Sequence, residues 1–148
     1  MNHRRWTPLR WLALLVAGLA AAVANAACPP VESDGSTIRK GDLALAWRPL
    51  LTGEKAPKSG RIPMAKHFAL EVQLCDKDAV SSGQLQKADA TMPAHRHGMN
   101  YRPVIKPLGA GRFRVEGMMF HMAGQWEIAF EVKAGNEILR LTQEVQAD

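Results

Sequence analysis

From residue 36 onward the apolar residues of this chain recur at every second position, and no long stretch carries the 3.6-residue spacing of a helix. Leu43, Leu45 and Trp47 alternate with Asp42, Ala44 and Ala46, and Phe68, Leu70, Val72 and Leu74 alternate with Glu71 and Gln73. Phe113, Val115 and Gly117 alternate with Arg112, Arg114 and Glu116. Trp126, Ile128, Phe130 and Val132 alternate with Glu127, Glu131 and Lys133, and Leu139, Leu141 and Val145 complete the set. Successive side chains on a strand point to opposite faces, so each run predicts a strand with one buried face.

Turn residues separate the runs. Leu108-Gly-Ala-Gly111 and Ala134-Gly-Asn136 have the glycine and asparagine that hairpin turns require. Gly109-Ala-Gly111 reads as a turn and not as a phosphate loop, because no helix follows it. Residues 52–66 form a Pro/Gly/Lys-rich connection. About seven short strands at this spacing predict an all-β chain, an antiparallel β-sandwich of immunoglobulin-like type. Its tryptophan pattern is not that of an antibody domain. No internal repeat and no second domain is visible.

Residues 1–26 read as an export signal. Arg4, Arg5 and Arg10 form a basic start, Trp11 to Ala24 carries no charge, and Ala24-Asn25-Ala26 supplies the small residues that signal peptidase needs. The apolar run is shorter than the roughly 20 residues of a membrane span. Residues 27–148 are then a single exported domain, placed in a bacterial periplasm. Lipid attachment at Cys28 is the alternative, disfavoured because Asn25 stands where such signals carry Leu.

The whole chain has 19 Lys and Arg against 14 Asp and Glu. Removing three arginines with the signal leaves a net charge of +2, too small for a nucleic-acid-binding face. The cluster Lys55, Lys58, Arg61 and Lys66 lies among Gly and Pro and reads as a solvated loop. Cys28 and Cys75 are the only cysteines. In an oxidising compartment an even pair predicts a disulfide; thiolate ligation of a metal is the alternative, with no Cys-x-x-Cys to support it.

Two segments carry chemistry: Met92-Pro-Ala-His-Arg-His-Gly-Met99 and Met118-Met-Phe-His-Met122. Thioether sulfur and imidazole nitrogen together suit copper, above all Cu(I). Zinc is less favoured, because no third His or carboxylate lies nearby, Asp89 being the nearest acid to the first segment, whereas four thioethers do. On extended backbone His95, His97 and Met99 share a face. In the second segment Met119 continues the apolar face of Phe113 and Val115 and reads as core, whereas His121 and Met122 fall at the strand end before Gly124. Met118 reads as packing, and His67 as a hydrogen-bonded polar residue. Strand order brings both segments and His67 to one rim if the strand over 111–120 runs parallel to that over 84–91.

No His-Glu-x-x-His, Gly-x-Ser-x-Gly or acidic pair accompanies these histidines, so the chain does not read as an enzyme. The pattern Met92-Pro-x-His-x-His-Gly-Met-x-Tyr101-x-Pro103, followed by Gly111-x-Phe113-x-Val115-x-Gly117-Met-x-Phe120-His-Met-x-Gly124-x-Trp126, resembles the YtkA-like/FixH-like family of small exported or membrane-anchored domains. The resemblance covers about residues 64–133. It implies an immunoglobulin-type β-sandwich associated with copper handling and respiratory-oxidase assembly. It also implies His95, His97, Met99, His121 and Met122 as copper ligands, with Met92 as a further candidate and Trp126 as a core anchor. Ala123 stands where many relatives carry Pro, and the mature chain lacks the membrane helix of FixH proteins.

The expectation is a periplasmic Cu(I) carrier or accessory domain, serving a periplasmic cuproenzyme or redox protein and binding no nucleic acid. The alternatives are an immunoglobulin-like interaction module that binds no metal and uses Met92–Met99 as a contact loop, or a small-molecule binder at the rim.

Overall fold

Alternation on this scale makes strands, and the computed structural model describes them over residues 28, 35–51, 61–77 and 79–148. The predicted export signal, and Lys55 and Lys58 of the basic cluster, lie outside the described residues. In chain order the strands are β1 (Ser36–Lys40), β2 (Leu43–Leu51), β3 (Arg61–Ile62), β4 (Phe68–Asp76), β5 (Ala79–Val80) and β6 (Gln84–Met92). β7 (His97–Gly98), β8 (Val104–Gly109), β9 (Arg112–Met118), β10 (Gly124–Ala134) and β11 (Glu137–Ala147) follow. Among the described residues the one helical element is a 3-10 turn over Pro93–His95. No helix among the described residues is long and apolar enough to cross a membrane.

The strands form two sheets, ordered β1-β2-β4-β9-β8, with β5 beside β4, and β3-β11-β10-β6-β7. The principal pairings are antiparallel; β3 joins β11 in parallel. Leaving aside β1 and the two-residue strands, this is the seven-strand arrangement of an immunoglobulin-type sandwich. β2, β4, β9 and β8 take the A, B, E and D positions; β11, β10 and β6 take G, F and C.

The inner faces close a core around Trp47, Leu45, Leu70, Leu74, Val115, Ile128, Phe130 and Trp126, all essentially without solvent contact. Burying one such side chain contributes about 1.5–3 kcal/mol, so the alternating runs supply the driving force for sheet packing. Cys28 and Cys75 form a disulfide, with Cα atoms 5.8 Å apart. It ties the start of the described chain to the outer face of β4, where Cys75 pairs in register with Ala44.

Two bulges alter the parity that the sequence suggests. Between β4 and β9 the register slips, so that Leu70 faces Val115 but Phe68 faces Met118. Gly117 sits there with φ +83°, a left-handed conformation that suits glycine. One extra residue turns the alternation over: Phe113 and Val115 point inward above the bulge, Met118 and Phe120 below it. Met119, expected in the core, is therefore half-buried, and Met118 takes its place. A second slip, between Glu131 and Val132, lets β6 change parity from Leu85 to Ala88, Ala90 and Met92.

Candidate metal centre

The first Met/His segment begins where β6 ends. Pro93 opens the 3-10 turn, and Arg96 closes it in the left-handed region (φ 54°), its N–H donating to the Pro93 carbonyl at 3.2 Å. The chain then folds back as β7, pairing His97 with Met92 and Gly98 with Thr91. The shared face expected of His95, His97 and Met99 on extended backbone is thus replaced by a tight reversal. Even so, the His95 and His97 rings lie 5.9 Å apart.

The second segment is set by the bulge at Gly117. With parity reversed, Phe120 turns inward, stacks on Trp126 at 4.7 Å and 9°, and meets Phe68 edge-on at 5.1 Å. His121 follows directly at the rim. The connection closes through the Trp126 indole N–H, which donates to the Met122 carbonyl at 3.0 Å. The Ala65 N–H donates to the Phe120 carbonyl at 2.7 Å, pinning the 63–67 segment to the same end.

The two segments meet over Trp126. The His97 and His121 rings are 5.0 Å apart, and each stands edge-on to the indole, at 5.6 and 5.5 Å. His67 takes another partner, the exposed Tyr101, at 5.2 Å. Met122 is 37% exposed, Met99 is half-buried against the core edge, and His95 is exposed. Met92 is core: it is 3% exposed, and its Cε would lie only 2.5 Å from a Cβ added at Gly124.

The polar atoms of this cluster are unusual. His97 Nδ1 lies 3.2 Å from the Gly98 carbonyl, an acceptor, so in that hydrogen bond Nδ1 is the donor, which in a neutral ring leaves Nε2 as the ligating nitrogen. His97 Nε2 and His121 Nδ1 are both buried without a hydrogen-bond partner. An unsatisfied buried polar atom costs about 1–3 kcal/mol, which ligation would remove. Trp47 Nε1 and Gln73 Oε1 are likewise unpartnered, but their strands point them to opposite faces of one sheet.

Two imidazoles sharing a metal at about 2.0 Å bring their centroids to about 5–6 Å, the separation found here. A backbone carbonyl holding the remote ring nitrogen is the usual device for fixing a ligating tautomer. Among the described residues no three His, Cys, Asp or Glu side chains are grouped to hold a metal ion. A thioether donor beside the imidazole pair would favour a soft ion.

Trp126 was legible in the sequence only as a core anchor. Its second role, a platform for two imidazoles, follows from its place at the first inward position after the Gly124 turn. Arg96, which reverses the chain between the two histidines, carried no sequence signal, since a left-handed arginine is uncommon.

No protein-family model matches the chain, and no curated protein matches it. Among solved structures it is similar to a DUF4426 family protein from Pseudomonas aeruginosa PAO1. The two share 10% identity with a TM-score of 0.55, over 78% of this chain and 96% of the other. That likeness shows a small β-rich fold. The YtkA-like/FixH-like resemblance rests on the motif residues alone.

Proposed function

We propose that this protein is a periplasmic Cu(I) carrier or accessory domain. Imidazoles of His97 and His121 form the centre of its site, and thioethers of Met122 and Met99 complete it. His95 stands outside them as an exposed ligand for an arriving or departing ion. The observation that carries this reading is the pair of half-buried imidazoles 5.0 Å apart, each with an unpartnered ring nitrogen. The motif resemblance to YtkA-like/FixH-like domains, associated with copper handling, points the same way. Met92 is left out of the ligand set because it packs in the core.

Titration with Cu(I) against a competing chelator tests the proposal. The wild-type domain is expected to hold one equivalent, and His97→Ala/His121→Ala to lose it with its unfolding free energy within about 1 kcal/mol of wild type. Imidazole ligands compete with protons, so affinity should fall toward acid pH. Thioethers do not protonate there, so residual binding at acid pH is expected. Equally weak binding by both proteins would favour the metal-free interaction module.

A further inference from the structure

Four contacts fix the indole of Trp126 against the two imidazoles. It is fully buried, it stacks on Phe120 at 4.7 Å and 9°, and its N–H donates to the Met122 carbonyl at 3.0 Å. The His97 and His121 rings stand edge-on to it at 5.6 and 5.5 Å, their planes inclined to the indole by 73° and 77°. The three ring centres form a triangle whose third side is the 5.0 Å between the imidazoles. On its core side the pair therefore meets aromatic carbon, and the ring nitrogens His97 Nε2 and His121 Nδ1 are out of contact with solvent. Among the described residues no third His, Cys, Asp or Glu is grouped with them to hold a metal ion.

We infer that Trp126 sets the ion selectivity of this site: its indole takes the space in which a divalent ion would keep water, and a monovalent soft ion is the one that fits. The inference rests on the Cu(I) reading above and names the residue that enforces it. Imidazole and thioether donors in small number satisfy a soft monovalent ion. Zn(II) is four-coordinate, and with the His97 and His121 imidazoles alone it would draw its remaining ligands from water. Cu(II) prefers a tetragonal set of nitrogen and oxygen donors. Stripping water from an ion costs free energy that rises with the square of its charge, about four times as much for a divalent ion as for a monovalent one of equal radius. The indole neither supplies the missing donors nor moves aside, because Phe120 backs it and the Met122 carbonyl holds its N–H. A site selects by what it refuses as well as by what it holds. A tryptophan that served the core alone would govern stability and leave the choice of ion unchanged.

The test measures ion preference. Residues 27–148, which hold every described strand, are titrated with Cu(I) and with Zn(II) against competing chelators, and His97→Ala/His121→Ala gives the background from other sites. Trp126→Leu, which opens the wall, should lower the ratio of Cu(I) to Zn(II) affinity about tenfold, chiefly by strengthening Zn(II) binding. A large cavity can unfold a small domain, so Trp126→Phe, which keeps a ring against Phe120, is measured beside it and should move the ratio the same way by about threefold. A second readout keeps Trp126 in place: Trp47→Phe leaves it as the one indole after residue 26. One equivalent of Ag(I), a redox-silent monovalent probe, should quench its emission, while the same concentration of Zn(II) should not. If neither Trp126 variant folds, this emission result decides. An unchanged affinity ratio in a folded Trp126 variant, with Cu(I) still held, overturns the inference and leaves the Cu(I) reading standing, as does Ag(I) binding with unchanged emission. Failure of the wild type to hold Cu(I) overturns both.

Discussion

The two ends of this sandwich are built from different materials. At the end away from the histidines, short turns join neighbouring strands: Gly41-Asp42 between β1 and β2, Gly109-Ala-Gly111 between β8 and β9, and Gly135-Asn136 between β10 and β11. The disulfide lies near that end, and the Lys77 N–H donates to the Asp42 carbonyl at 2.9 Å. At the other end the connections are longer, and they bring the His97 and His121 rings together over Trp126 while His95, Arg96, Arg102 and Met122 stay exposed. A two-residue turn satisfies its own backbone and has no side chain to spare. A longer connection can project several groups toward one point, which is why sites collect on such segments. Left-handed non-glycine residues occur at both ends, Lys77 and Ala110 at the first and Ala65 and Arg96 at the second, but two orphaned imidazole nitrogens face one another only at the second.

That contrast makes stability and Cu(I) retention separable. Removing the disulfide with Cys28→Ala/Cys75→Ala is expected to have the largest effect on stability, about 4 kcal/mol in the chain-entropy model for a separation of 47 residues. Chemical denaturation measures it, and Cu(I) stoichiometry per folded molecule should remain one. A coupled loss of copper binding would break the contrast.

Gly111→Ala comes next. Its backbone is left-handed (φ 69°), and an added Cβ would lie 2.8 Å from the Leu74 carbonyl oxygen and 2.9 Å from Val80 Cγ1. A loss of about 2 kcal/mol or more is expected, again with copper retained. A denaturation midpoint equal to wild type would show that this turn is not the rigid element the comparison requires.

Arg96→Gly probes strain at the histidine end. Releasing a left-handed arginine should stabilise the chain by about 1 kcal/mol, offset by the greater freedom of glycine when unfolded, so the net change in melting temperature is small and upward. Cu(I) affinity should fall slightly as His95 and His97 become less fixed. A stabilised variant that binds copper more tightly would show that the strain has no part in orienting the imidazoles.

Glu116→Gln should change least. The Lys106 side chain, hydrogen-bonded to Glu116 at 2.6 Å, holds that carboxyl below its ordinary value near 4.5, and Arg114 adds to the effect. A lowered folded-state pKa stabilises the protein above the ordinary carboxylate range, and this contribution is lost as pH falls through the folded value. The variant should match wild type in acid and fall only marginally below it at neutral pH. Unfolding curves at several pH values check the sign.

Much of the fold was legible because each strand repeats its period several times. Phe68, Leu70, Val72 and Leu74 are all buried as expected, as are Trp126, Ile128, Phe130 and Val132. The expected disulfide is formed. Met118 packs as expected, but Met119, expected in the core, is only half-buried for a local reason: the residue added at Gly117 moves every later side chain to the opposite face. Glycine in a strand run hints at such a bulge, but alternation alone does not say on which side of it the parity changes.

The sequence by itself determined the class of fold, the inward faces of the longest apolar runs, the cysteine pairing and the two segments rich in Met and His. These depend on patterns repeated along neighbouring residues, and the burial of apolar surface enforces them wherever the sheets pack. Only the tertiary structure decided which of those residues meet. His97 and His121 stand 24 positions apart, and their 5.0 Å approach depends on two sheets closing at the same rim, a reversal at Arg96 and a bulge at Gly117. Met92 went to the core and Trp126 came to lie beneath both imidazoles for the same reason: a single register slip reorients every side chain after it, and no local pattern records where the slips fall.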